Sequence, residues 1–252
     1  MKKISRRNMI GIAGMSAAGS LIGTSAFPGL SVAAVNKLKI IVVGAHPGDP
    51  ECGCGGSIAL FTAEGHEVIA AYLTRGGGGI QGKSDEEASA IRTEEALKAC
   101  KILNARPVFF KQTDGNCVIT SDSYNELNDF IKRENPDIVF THWPIDSHRD
   151  HRICSILTYD AWISMEKKFA LYYYEVTSGS ETQNFTPTNY IDIGNTIKQK
   201  DAACMSHISQ EPNGWYKDIQ ATIQRLRGIE LNCKYAEAFV RHNQNPGSIA
   251  QK

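Results

Sequence analysis

Leu38-Lys39-Ile40-Ile41-Val42-Val43-Gly44 (LKIIVVG) runs directly into Ala45-His46-Pro47-Gly48-Asp49-Pro50-Glu51. The first segment is a continuous apolar run of strand length. Such a run is expected of a strand buried on both faces in a parallel sheet. The second segment is a loop crowded with metal-binding side chains. Gly53, Gly55 and Gly56 then open a helix through Ser57 to Phe61, which Gly65 ends. Glu67 to Leu73 is the next strand, so the opening is a strand–helix–strand unit with a right-handed crossover.

The same alternation continues outward. Residues 74–83 form a loop with four glycines, Gly76 to Gly79, read equally as a lid or as a loose loop. Ser84 and Glu87 make a capping box for a helix to about Leu103. Pro107 to Phe110 is a third strand, and Ser121 to Glu134 an amphipathic helix stopped by Asn135-Pro136. Asp137 to Thr141 is a fourth strand, Arg149 to about Ser164 a helix, and Leu171 to Val176 a fifth strand. Asn189 to Ile193 reads as a late strand, with helices over 195–208 and 215–230. This order predicts an α/β fold: a single Rossmann-like domain with a mostly parallel sheet flanked by helices. Ligands of such sheets bind beyond the carboxyl ends of the strands.

The domain spans residues 35–252. Residues 1–34 stand apart. Lys2, Lys3, Arg6 and Arg7 precede a weakly apolar, glycine-rich run, and Ser5-Arg6-Arg7-Asn8-Met9-Ile10 resembles a twin-arginine export signal. Val32-Ala33-Ala34 offers a cleavage site. The expectation is an exported, periplasmic or extracytoplasmic protein with no stable membrane span after processing. Five interruptions, Gly11, Gly14, Gly19, Gly23 and Pro28, weaken the alternative of an uncleaved anchor. The 27 basic residues balance 27 acidic ones with no basic stripe, which argues against nucleic acid as partner. Seven scattered cysteines are not a disulfide framework and read as small core residues. A thiolate site at Cys52 and Cys54 is the competing reading. Gly53-Cys54-Gly55-Gly56 is not a dinucleotide fingerprint, because its third glycine would fall at Ile58.

The chemistry lies in two loops at strand ends. The second reads His142-Trp143-Pro144-Ile145-Asp146-Ser147-His148-Arg149-Asp150-His151. Neither loop supplies three well-spaced ligands alone. Together they can supply two imidazoles and a carboxylate with an open position, a hydrolytic zinc arrangement.

AHPGDPE and HRDH resemble the AHPDDxE and HxDH motifs of the PIG-L/LmbE-like deacetylases. Thr74-Arg75-Gly76, Arg92-Thr93-Glu94, Lys200 to Gln210 and Ala236 to Phe239 extend the resemblance over most of the chain. It implies one zinc ion per chain on His46, Asp49 and His151. It implies that His148 stabilises the oxyanion or protonates the leaving amine, that Asp150 supports a histidine, and that Arg92 and Asp114 contact substrate. The activity implied is removal of an N-acetyl group from an amino sugar or glycoconjugate. The oligomeric state is not implied. One position departs from the pattern. Gly48 stands where the family has its general-base aspartate, and general-base catalysis is worth about 10²–10⁴-fold. Glu51, Asp146 and a group on the substrate are the candidate replacements. The alternative is a catalytically weak or silent, metal-bearing sugar-binding protein.

Overall fold

A computed structural model of the chain describes residues 37–243. The twin-arginine-type segment 1–34 lies outside the described residues. Seven strands form one sheet in the order β3-β2-β1-β4-β5-β7-β6. β1 (Lys39–Gly44) pairs in parallel with β2 (Glu67–Tyr72) on one side and β4 (Ile138–His142) on the other. β3 (Arg106–Phe109) and β5 (Ala170–Tyr174) extend the parallel part. Chain order therefore reverses between β1 and β4, and the crevice for ligands opens where those two strands end.

β7 (Ala236–Arg241) was not foreseen as a strand. It inserts antiparallel between β5 and β6 (Asn189–Asp192). Ile40, Ile41, Val42 and Val43 are almost fully buried, as their apolar run requires. One face of β1 packs with α3 (Ser121–Glu134) and α4 (Arg149–Ser164), and the other with α1 (Asp49–Ala63). α2 (Asp85–Leu103) and α5 (Ile197–Met205) complete the layer over α1. A single π-helical turn, Tyr216–Gln220, leads into α6 (Ala221–Leu231).

α1 starts four residues earlier than its glycines suggest. Pro50 and the acidic Asp49 and Glu51 occupy its first turn, as suits a helix N-terminus. The expected metal loop is thus partly helix. The glycines serve packing instead: a Cβ at Gly56 would come within 2.6 Å of Ile193. Among the described residues no helix is long and apolar enough to cross a membrane.

Candidate metal centre

β1 ends at Gly44, and the chain turns through His46 into α1. β4 ends at His142, and the chain turns through Asp146 and His148 into α4. Parallel pairing of the two strands sets these turns side by side. His46 Nδ1 lies 3.3 Å and His151 Nε2 3.5 Å from the same Asp49 oxygen, Oδ2. His142, expected only to begin the second loop, adds a third imidazole to that oxygen: its Nε2 is at 3.1 Å. Nitrogens of His46, His148 and His151 form a group within 4.8 Å of one another, close enough to share an ion.

His46 and His151 are each backed by a carboxylate. His46 Nε2 meets Asp150 at 3.1 Å and Asp114 at 3.0 Å. His151 Nδ1 lies 3.2 Å from Asp146. Carboxylates placed behind metal-binding histidines fix the ring and raise its basicity. Asp150 is itself fixed, accepting from the backbone N–H of Gly115 at 2.7 Å and of Cys117 at 3.1 Å. Its carboxylate supports His46 rather than His148.

Charge is arranged around Asp49. Burial works against a charged His46, but Asp49, Asp114 and Asp150 hold its pKa well above the usual value. His151 is raised against the same burial by Asp49 and Asp146. Burial and the neighbouring His151 push His142 down to about 4. Burial would raise Asp49, yet His151, His142 and His46 hold it well below the carboxylate range. Protonated imidazoles thus supply positive charge around a buried anion, where a divalent cation would otherwise supply it. The donor set, two imidazoles and a carboxylate, suits a hydrolytic divalent metal. Cys52 and Cys54 do not fit that role. Contact with Cys204 and burial push the Cys52 thiol up, and burial does the same to Cys54. Among the described residues no candidate metal group includes a thiol.

His148 caps α4. Its Nδ1 accepts the N–H of Asp150 at 3.2 Å, so the neutral ring carries its proton on Nε2. Burial, then His46 and His151, lower its pKa, which favours that neutral form. Arg92 is 6% exposed and donates to the carbonyls of Pro47 and Gly76. Its Nη1 also lies 3.5 Å from Asp114. Gly76 is needed for this clamp: its φ is +74°, and a Cβ there would be 2.5 Å from the guanidinium carbon. The glycine run is a cradle for Arg92, not a loose loop.

A cavity of about 520 Å³ opens over His46, Asp49, His148 and His151. Arg92, Asp114, Thr177, Glu181, His207 and Trp215 complete much of its wall. All seven predicted site residues gather at this place, and all but Asp150 line the cavity. Sequence reasoning gave no role here to His142 or to His207. No local signal distinguishes a strand-end histidine that faces a metal from one that faces the core.

The family model PIG-L, GlcNAc-PI de-N-acetylase, matches residues 41–162, the segment that holds both candidate metal-binding turns. That segment belongs to the PIG-L family. An Escherichia coli relative named "uncharacterized deacetylase YaiS" is 34% identical over 129 residues, covering 48% of this chain and 66% of that protein. The diacetylchitobiose deacetylase of Thermococcus kodakarensis is 26% identical over 219 residues, covering 80% and 82%. A solved 4-carboxy-2-hydroxymuconate hydratase of Pseudomonas putida superposes with a TM-score of 0.73 at 23% identity, over 84% of this chain and all of that one. That last likeness shows the fold alone.

Proposed function

We propose that this PIG-L member is a zinc-dependent amide hydrolase that removes an N-acetyl group from an amino sugar or glycoconjugate. The observation that carries the reading is the approach of His46 and His151, from two strand-end turns, to the same oxygen of Asp49 at the cavity. Relatives named as deacetylases support the substrate class. The hydratase neighbour is a reminder that a shared fold does not fix the reaction.

His46, Asp49 and His151 would hold the metal, with Asp150 and Asp146 holding the two rings. When bound, a divalent metal supplies Lewis acidity, lowering the pKa of water and polarising the amide carbonyl. His148 Nε2–H faces the same cavity and donates to the oxygen that becomes negative as water attacks. Arg92 and Asp114 shape the wall that receives the sugar, and Arg92 also fixes the turn at Pro47. The test is acetate release from N,N′-diacetylchitobiose and N-acetylglucosamine by the zinc-loaded chain. Release that needs zinc and His151 supports the reading; none with any N-acetyl sugar contradicts it.

Gly48 favours a second reading, a silent sugar-binding protein that keeps its metal. Zinc and sugar binding without turnover in the native chain, with turnover gained in Gly48→Asp, would establish it. We also propose that residues 1–34 direct export by the twin-arginine route. Changing Arg6 and Arg7 together to Lys is expected to strand the chain in the cytoplasm.

A further inference from the structure

Gly48 is the N-cap of α1 and has a φ of +110°. The three atoms nearest a Cβ built there all belong to the ring of His207, Cγ at 3.8 Å and Cδ2 and Nδ1 at 3.9 Å. His207 is 2% exposed and lines the cavity. Both of its ring nitrogens are buried without a hydrogen-bond partner. Leaving a buried polar group unsatisfied costs stability, because its lost hydration is not replaced. A fold that tolerates this twice on one ring, at a cavity wall, is built to give that ring a partner from the cavity.

The ring also has a carboxylate beside it, outside hydrogen-bond reach. Glu51 Oε1 is 3.6 Å from His207 Nε2. Glu51 is fixed by Tyr72 Oη, which donates to Oε1 at 2.6 Å, and by the Gly48 N–H on Oε2 at 3.1 Å. A carboxylate beside Nε2 favours the tautomer with its proton there, leaving Nδ1 as the acceptor. The other groups around the cavity are committed. Asp114 holds His46 and the Gly78 N–H. Asp150 holds His46 and two backbone N–H groups. His148 presents a donor. Glu181, which accepts from Thr177 Oγ1, is the remaining rival.

We infer that His207, with Glu51 beside it, is the proton acceptor for the attacking water, acting directly or through one further water in the space that Gly48 leaves open. The inference rests on the hydrolase reading above. The water oxygen bonds to the amide carbonyl carbon while its proton passes to His207 Nδ1. The C–N bond then breaks and the amine nitrogen takes that proton. The products are the free amine and acetic acid, which ionises to acetate.

The test uses the zinc-loaded full chain and N,N′-diacetylchitobiose. His207→Gln is expected to lower kcat by about 10²–10⁴-fold with zinc stoichiometry unchanged, and imidazole in solution to restore part of the loss in His207→Gly. Ring-15N NMR of the metal-free protein, which needs no turnover, is expected to show His207 protonated on Nε2 and accepting on Nδ1. Near-native turnover in His207→Gln, the opposite tautomer, or a collapse in Glu181→Gln alone would overturn the inference. A native chain that is silent until Gly48→Asp activates it would overturn the inference while sustaining the hydrolase fold of the site. A chain silent in both forms would bring down the hydrolase reading itself.

Discussion

Helix α1 takes part in two buried polar clusters, one at its first turn and one at its middle. At the middle, Glu237 of β7 accepts from the N–H of Gly56 and of Ser57, each at 2.8 Å, and from Ser57 Oγ at 2.5 Å. Lys200 of α5 closes the group with Nζ 2.5 Å from Glu237. Burial would lower the Lys200 pKa, but Glu237 raises it, so the ammonium keeps its charge. At the first turn the same helix contributes Asp49 and Glu51 to a cluster that is not closed. His142 Nδ1 and both nitrogens of His207 lack hydrogen-bond partners there, and a cavity lies above. The lesson is in the satisfaction, not the charge. A complete network fixes the fold. An incomplete one beside a cavity is shaped for something that binds.

If the contrast is right, breaking each cluster should fail differently. The largest effect is expected at the open one. His151→Ala should abolish stoichiometric zinc, measured by elemental analysis. Acetate release should fall by about 10³-fold or more, since a catalytic metal is worth several kcal/mol. The fold should survive, checked by circular dichroism. At the closed cluster, Glu237→Ala leaves a buried ammonium unpaired and should cost about 3–5 kcal/mol in denaturant unfolding. Zinc binding by the molecules that remain folded should hardly change.

Smaller changes sharpen the comparison. Asp150→Asn removes the charge behind His46 and should weaken zinc roughly 10–100-fold in a competitive chelator titration. Burial would raise the Asp150 pKa, but His46 and the N–H groups of Gly115 and Cys117 lower it to about 2. It therefore supports His46 throughout the range where zinc binds. His46 is raised in the metal-free protein, so near neutrality it holds a proton that the metal must displace. His151 is raised as well, so calorimetry in buffers of different ionisation enthalpy should find between about one and two protons released per zinc, and affinity should fall as pH falls. The smallest effect is expected at Gly48. Its φ of +110° is one that L residues rarely adopt, so Gly48→Ala should cost about 1–2 kcal/mol of stability without touching the zinc.

Much of this was legible from local pattern. The apolar run of β1, the caps of α2 and α3 and the span of α4 follow from periodicity and capping residues close in sequence. The two turns that bear His46, Asp49, His148 and His151 were legible because a parallel sheet brings strand ends together. The start of α1 was misplaced because Gly53, Gly55 and Gly56 look like a helix opening, whereas Pro50 and the acidic first turn are the real start. β7 was missed because its six residues are bounded by no strong turn signal and their role depends on pairing with distant strands. His207 was beyond reach for the same reason. Its importance comes from facing Gly48, a relation made only by folding.

The central claim is that His46, Asp49 and His151 share one divalent ion with a face left open to the cavity. Crystals grown with zinc and measured on either side of the zinc absorption edge test it most directly. The account predicts one strong anomalous peak per chain, bonded to those three side chains and to solvent. A peak at other residues, or a coordination sphere filled by a fourth protein ligand such as His142, would contradict it.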